Sequence, residues 1–203
     1  MIDTLLIDCE QPESGVSDLI RRPDLGPRIM AVGMYALDEV ALADYRALLI
    51  GMHCDQLYLV GRRARIEDFV STGGTVLVSG HVAWPFLSGL DRFRPIADYR
   101  IADLEVRRES EHPVWAGVAP EDLTFRRGIA GFYGRGWHKP PPGATVIHSL
   151  GARRLPLDFA YAIGRGRVLF HGGNDLWTYL DAGNSAERMM PQLFDWTAAP
   201  VDA

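Results

Sequence analysis

Three histidines that could do acid–base chemistry each lie at the end of a predicted strand. His53 follows the apolar run ALLIGM, His81 follows TVLVSG, and His171 ends RVLFH. A neutral imidazole exchanges protons near neutral pH and also ligates metals such as zinc. The pattern therefore predicts histidine acid–base chemistry. A divalent metal shared by the three histidines is an alternative, although no HxH or HxxxH spacing supports it.

Two further residues near these histidines have both a chemical and a structural interpretation. Asp175 could orient a histidine or bind a sugar hydroxyl, and its structural alternative is to cap the turn before Leu176. Cys54 could be a reactive thiol with His81 or His171 as its base, and its structural alternative is a small buried residue. For the histidines the alternatives are capping a helix or simple exposure to solvent.

The surrounding elements predict why these residues should meet. Apolar runs over 4–8, 47–52 and 75–79 predict buried strands, and helical periodicity over 55–71 ends at Gly73-Gly74. The order of strand, helix and strand is typical of a βαβ unit with a parallel sheet. In such sheets ligands bind beyond the carboxyl ends of the strands, which is where the three histidines lie.

Weaker patterns complete the predicted element order. The closing segment is predicted to be helical, with Ser185 as its N-cap. The chain is predicted to hold strands over 28–32, 104–107, 144–150, 155–161 and 167–171, and helices over 37–44 and 185–196.

A long loop over 126–143 combines Phe132, Tyr133, Trp137 and Arg135 with the glycines at positions 128, 131, 134 and 136. Long loops in compact domains are often lids or binding elements, and aromatic rings stack on sugar faces. Packing against the chain's own sheet or against a second subunit is the alternative. Other aromatic residues that could join such a site are Trp84, Trp177 and Tyr179.

The composition excludes several functional classes. The 203 residues carry a formal net charge of −5, which argues against a nucleic-acid or anionic-membrane surface. The chain has no apolar run long enough to span a membrane, no basic leader and only two cysteines, Cys9 and Cys54. A single domain over 1–203 and a cytoplasmic location are therefore expected.

Four stretches carry a resemblance to a known superfamily: ALADYRALLIG, FVSTGGTVLVSGH, EHPVWAGV and GRGRVLFHGGND. Their order and spacing resemble the class I glutamine-amidotransferase-like superfamily, and within it the trehalose-utilisation (ThuA-like) branch. The resemblance implies an α/β fold, a flavodoxin-like three-layer sandwich with a mainly parallel sheet.

The chain departs from amidotransferases at two positions of that pattern. The elbow after the TVLVS strand is Ser79-Gly80-His81-Val82 and lacks the family's nucleophilic cysteine, and Gly173 stands where the family has a glutamate. Glutaminase activity is therefore not expected. ThuA-like sequences also have a histidine near the elbow, which matches His81, and a segment that HGGND resembles loosely.

We therefore expect a ThuA-like protein that binds or acts on a small carbohydrate-derived molecule. If it is an enzyme, hydrolase or lyase chemistry would use His81, His171 and Asp175. The alternative is a non-catalytic binding or assembly module of the same fold. We expect no cofactor, and we expect the chain to form a homodimer. The expected substrate-binding residues are His53, Trp84, Tyr133, Trp137, Asn174 and Trp177.

Overall fold

Eight strands form one mixed sheet in the computed structural model, which describes residues 2–9 and 15–200. The N-terminal part alternates strands and helices, as the βαβ pattern predicts. Its elements are β1 (Thr4–Asp8), α1 (Val16–Arg21), β2 (Ile29–Gly33), β3 (Ala47–Ile50), α2 (Gln56–Val60), α3 (Arg63–Ser71) and β4 (Thr75–Ser79).

The C-terminal part contributes the long antiparallel strands and a pair of two-strand ribbons. Its elements are β5 (Arg94–Pro95), β6 (Val106–Arg108), α4 (Pro120–Thr124), β7 (Phe125–Arg126), β8 (Ile129–Ala130), β9 (Gly136–Trp137), β10 (Thr145–Leu150), β11 (Leu155–Ile163), β12 (Gly166–His171) and α5 (Met189–Ala198). The ribbons are β5 with β9 and β7 with β8.

The large sheet has the strand order β2-β1-β3-β4-β12-β11-β10-β6. The first five strands in that order are parallel, and the last four pair antiparallel from β12 outward. The predicted α/β class with a mostly parallel sheet is confirmed. Because β12 is parallel to β4, both strands end at the same edge, with His171 opposite Ser79.

Each face of the sheet carries its own hydrophobic core, because alternate residues of a strand point to opposite faces. Leu6, Leu49 and Leu77 lie in the core that α1 and α5 cover, whereas Ile7 and Ile50 lie in the core that α3 covers. The layers are therefore helix, sheet and helix, which is compatible with a flavodoxin-like sandwich. None of the helices in the described residues has the length and apolarity needed to cross a membrane.

Two predicted helices are wrong in detail. The segment 37–44 is two 3-10 turns, Met34–Glu39 and Leu42–Asp44, because Arg65 binds the carbonyl groups of Asp38 and Val40 that a helix would use internally. The segment 55–71 divides into α2 and α3 at Arg62, whose guanidinium binds the Asp38 carboxylate.

Two other boundaries also shift. The strand predicted over 104–107 begins later, as β6, because Ile101–Leu104 forms a 3-10 turn. The closing helix begins with a 3-10 turn whose N-cap is Asn184 rather than Ser185. The Ser185 hydroxyl instead binds Asp122 and accepts the backbone N–H of Ala119.

Candidate functional site

The elbow after β4 is a tight turn that only glycine suits. Gly80 has a φ of +96°, and a Cβ atom on it would lie 2.7 Å from Met52 Cα. Its backbone N–H donates to the His171 carbonyl at 2.9 Å, which ties the elbow to the end of β12. The turn is therefore built for close backbone packing and carries no cysteine.

His81 is the elbow residue that lies at the surface, where its imidazole stacks on the Phe93 ring with 3.7 Å between ring centroids. Partial burial lowers its pKa, and the nearby His171 and Arg135 add to that effect. His81 is therefore a mostly neutral imidazole held against an aromatic ring.

His171 lies in a fully buried hydrogen-bond network centred on Asp158. Asp158 faces His171 across the β11–β12 pair and contacts its Nδ1 at 2.6 Å through Oδ1. The other carboxylate oxygen is 2.7 Å from His148 Nδ1 and accepts the Tyr133 hydroxyl at 2.8 Å. Trp115 Nε1 in turn donates to the Tyr133 oxygen at 2.8 Å. All five side chains are 1% exposed or less.

The charges and hydrogen bonds of this network indicate which of its groups are protonated. Burial by itself raises the pKa of Asp158, but attraction to His171 and hydrogen bonds from both histidines outweigh it and hold that pKa below its usual range. Burial and the adjacent Asp158 charge raise the pKa of Tyr133. Asp158 is therefore an anion, Tyr133 is a neutral donor, and each histidine carries a proton on Nδ1. The Nε2 atoms of both histidines are buried without a partner among the described residues.

The Tyr133 backbone fills the space beside Gly173, the position at which the sequence resemblance would place a glutamate. A Cβ atom on Gly173 would lie 1.7 Å from the Tyr133 carbonyl oxygen and 3.0 Å from His171 Nε2. A glutamate therefore has no room at this position. The carboxylate that orients His171 comes instead from Asp158 on the neighbouring strand, and His171 is closed off from solvent.

An open cavity of about 470 Å³ lies beside this network, at the same edge of the sheet. Four residues that the sequence predicted for the site line it: His53, Asn174, Asp175 and Trp177. The walls also carry charged side chains of both signs, namely Arg22, Arg126, Arg127, Asp18 and Asp181.

Asp175 is the most perturbed acid in the cavity. It is 4% exposed, and its Oδ1 accepts the Met52 backbone N–H at 2.8 Å. Burial raises its pKa to about 6, and the Met52 hydrogen bond offsets part of that rise. Near neutral pH this carboxyl group can therefore both donate and accept a proton.

Arg126 is another wall of the cavity and is held in place by its own contacts. Its guanidinium donates to the Thr178 carbonyl at 2.9 Å and lies 5.3 Å above the Tyr179 ring centroid. The neighbouring Arg127 is exposed and has a φ of +50°. The two arginines therefore differ: Arg126 is a fixed part of the wall, whereas Arg127 presents its charge to solvent at the cavity mouth.

The nine predicted site residues thus separate into three places. His53, Asn174, Asp175 and Trp177 share the cavity, whereas His171 and Tyr133 belong to the buried network. The remaining three lie toward the β5–β9 ribbon. Trp137 belongs to β9 with Arg94 above its ring, Trp84 is 49% exposed, and His81 stacks on Phe93. Among the described residues, no group of three or more His, Cys, Asp or Glu is arranged to hold a metal ion.

Sequence reasoning missed His148, Asp158 and the cavity arginines. His148 and Asp158 each interrupt an otherwise apolar strand, in TVIHSL and LPLDFAY. A buried ionisable residue needs a partner, so two such interruptions on adjacent strands were the available signal. The pairing itself depends on a register shift in β10 at His148 that sequence patterns do not indicate.

Comparisons with known proteins find structures of similar fold but do not assign the chain to a family. No protein-family model matches the chain, and no curated protein matches it. Cytoplasmic Protein STM3548 from Salmonella typhimurium is similar in structure, with a TM-score of 0.60 and 13% identity over 96% of this chain and 98% of that one.

Glycosidases contain a similar unit as part of a longer chain. A cold-adapted β-galactosidase from Rahnella sp. R3 matches with a TM-score of 0.55 and 13% identity, over 98% of this chain and 32% of its own. The exo-β-1,4-mannosidase Op5Man5 from Opitutaceae bacterium strain TAV5 matches with a TM-score of 0.53 and 13% identity, over 98% and 36%. The chain spans about a third of each glycosidase.

Proposed function

We propose that this chain is a ThuA-like protein of the amidotransferase-like fold that binds a small carbohydrate-derived molecule in the 470 Å³ cavity, without glutaminase activity. The observation that carries the proposal is the cavity itself, which gathers Asn174, Asp175, His53 and Trp177 beyond the strand ends. Its volume is within the range of small-molecule sites, roughly 300 to 1,000 Å³.

The cavity lining suits a polyol. The Asn174 amide and the Asp175 carboxyl group can donate to and accept from hydroxyl groups, and the charged residues of both signs supply further partners. Trp177 adds one aromatic surface, although most of its ring is packed in the core. A neutral or weakly charged sugar derivative therefore fits this lining better than an apolar ligand does.

In an enzymatic reaction Asp175 would be the acid–base group, because it lines the cavity and is held by Met52. His53 lines the same cavity and is the candidate second proton carrier. His171 would act as a positioning residue, since its network fixes the strand end from which Asn174 and Asp175 follow. His81 would contribute only if the ligand extended toward Phe93.

Calorimetric titration of the purified chain with a panel of monosaccharides, disaccharides and sugar acids tests the proposal. At least one member should bind, and Asn174→Ala and Asp175→Asn should each weaken binding about tenfold or more, because the first removes a hydrogen-bonding amide and the second replaces an acceptor oxygen of the carboxylate with an N–H₂ donor. Glutamine should release no ammonia. Absence of binding across the panel would contradict the proposal.

A matched pair of arginine variants separates the cavity from general charge effects. Arg127 and Arg154 both have a φ of about +50° in exposed turns, a backbone conformation that asparagine tolerates well. Arg127→Asn should weaken ligand binding severalfold, whereas Arg154→Asn should leave it unchanged. Equal effects from both variants would remove Arg127 from the site.

The alternative function is a non-catalytic binding or assembly module. The complete burial of His171 favours it, because a substrate has no approach to the one histidine that matches the amidotransferase pattern. Under this alternative the sugar panel fails and the chain assembles, with a homodimer as the expected state. Sedimentation velocity at increasing protein concentration measures that assembly.

A further inference from the structure

Two thiol groups that the proposed function does not use lie side by side at the edge of the sheet. Cys9 directly follows β1 and Cys54 lies in the turn after β3, and these neighbouring strands are parallel. The two Sγ atoms are 2.9 Å apart across a separation of 45 residues, and both cysteines are free. The contact therefore joins two distant parts of the chain without a covalent bond.

The two thiols differ in their access to solvent. Cys54 is 8% exposed, whereas Cys9 is half-buried and lines a separate cavity of about 360 Å³. That cavity is also lined by Tyr35, His53 and Asp55, and Cys54 is not among the residues that line it. A small reagent in the cavity can therefore contact Cys9 more readily than the buried Cys54.

The two sulfur atoms also differ in chemical role. The thiol contact with Cys9, together with burial, raises the pKa of Cys54 well above its ordinary value. Cys54 is therefore a poor nucleophile toward an external substrate, which argues against the reactive Cys54 thiol considered from the sequence. The arrangement makes Cys9 the attacking thiol and Cys54 the resolving one.

We infer that Cys9 and Cys54 form a reversible dithiol–disulfide site that reacts with a small hydroperoxide. The Cys9 thiolate attacks one peroxide oxygen, the O–O bond breaks, and the second oxygen leaves as water (or alcohol) after taking up a proton. The Cys54 sulfur then attacks the Cys9 sulfenic sulfur, the S–O bond breaks, and the hydroxide leaves as water with the Cys54 proton. Two thiols and one hydrogen peroxide thus become one disulfide and two waters.

The disulfide would fix the turn that forms one wall of the larger cavity. Met52 and His53, which line that cavity, directly precede Cys54, and the Met52 N–H holds Asp175. Closing a loop of 45 residues also restricts the unfolded chain. Oxidation should therefore raise the melting temperature by roughly 5 to 15 °C for a chain of this size.

The test uses the reduced full-length protein and hydrogen peroxide. After brief exposure of the folded protein, denaturing thiol titration should fall from two thiols to none, the intact mass should drop by two hydrogen atoms, and the chain should remain a monomer by non-reducing electrophoresis. Dithiothreitol should restore both thiols and the original melting temperature. Two thiols remaining after exposure, or a disulfide between chains, would overturn the inference.

Cysteine variants supply the control. Cys9→Ser should abolish disulfide formation and the rise in melting temperature, and its Cys54 thiol should react slowly with peroxide because it is buried. Cys54→Ser should leave Cys9 reactive but accumulating as the sulfenic acid, which a dimedone probe captures. Fast peroxide reaction of Cys54 in Cys9→Ser would contradict the assigned roles. The wild-type mass measurement stands even if a variant folds poorly, and none of these readouts depends on a sugar ligand.

Discussion

Asp158 is the residue on which the buried chemistry of this protein depends. Its two oxygens accept from His148, His171 and Tyr133, so one carboxylate satisfies three polar side chains that water cannot reach. A buried carboxylate is unfavourable unless such donors surround it. The network therefore links β10, β11 and the end of β12 to one another.

Replacing Asp158 by asparagine should destabilise the protein by about 3 kcal/mol or more. The amide removes the negative charge that holds the two histidines and presents an N–H₂ group to neighbours that are already donors. Urea denaturation of Asp158→Asn measures the loss. Asp68→Asn, an exposed substitution on α3, is the control and should change stability by less than about 0.5 kcal/mol.

At the level of single residues, the sequence indicates which side chains could do chemistry but not which side chains they contact in the fold. The residues at the elbow and at Gly173 are readable from the chain alone, and they are the basis on which glutaminase activity is not expected. That the Tyr133 backbone occupies the space beside Gly173 depends on how the 126–143 loop folds back, which no local pattern encodes. The same holds for His171, whose position at a strand end is predictable but whose burial is not.

At the scale of elements, side chains from one segment set the boundaries of another. The core strands β1, β3, β4 and β12 follow from their apolar runs, since a strand buried on both faces must be apolar throughout. The helical segments were less predictable because Arg62 and Arg65 bind across to the 34–44 region. Periodicity describes one segment at a time and therefore cannot show such long-range competition.

Two glycines of the α2–α3–β4 region should respond in opposite directions to alanine. Gly61 has a helical backbone with φ −65° and ψ −15°, so Gly61→Ala should stabilise the protein by about 0.5 kcal/mol through the unfolded state. Gly73 has a φ of +120° with open space around its would-be Cβ, so Gly73→Ala should cost about 1 kcal/mol or more from the backbone alone. Thermal denaturation of both variants checks the pair, and a common sign would contradict it.

For the whole molecule, buried titratable groups make folding sensitive to acid. Burial lowers the pKa of His138 to about 3 and that of His112 to about 4, from the ordinary 6.5. His138 Nε2 also accepts the Val82 N–H at 3.1 Å, which requires the neutral ring. The unfolded chain therefore binds more protons than the folded one as the pH falls below 6.5. Asp175 has the opposite effect, because its pKa is raised to about 6 in the folded state. The folded chain therefore binds more protons at Asp175 than the unfolded chain does between pH 6 and 3.8, and acidification through that interval adds stability.

The net effect should be a loss of stability on acidification. The two histidines outweigh Asp175, so the free energy of unfolding should fall by roughly 3 kcal/mol between pH 6.5 and pH 4. Asp175→Asn removes the opposing contribution and should make that fall steeper. Urea denaturation across this pH interval measures both profiles. A flat profile, or an unchanged slope in Asp175→Asn, would contradict the assignment.

The mixed sheet has a consequence for the order in which the chain folds. Strands β10, β11 and β12 are consecutive in sequence and pair as antiparallel neighbours, so their contacts close only short loops. The parallel pairs β4–β12 and β1–β3 join segments separated by many more residues and form more slowly. Core truncations such as Phe159→Leu and Leu6→Ala should therefore differ, with the first slowing refolding and the second mainly speeding unfolding in stopped-flow experiments.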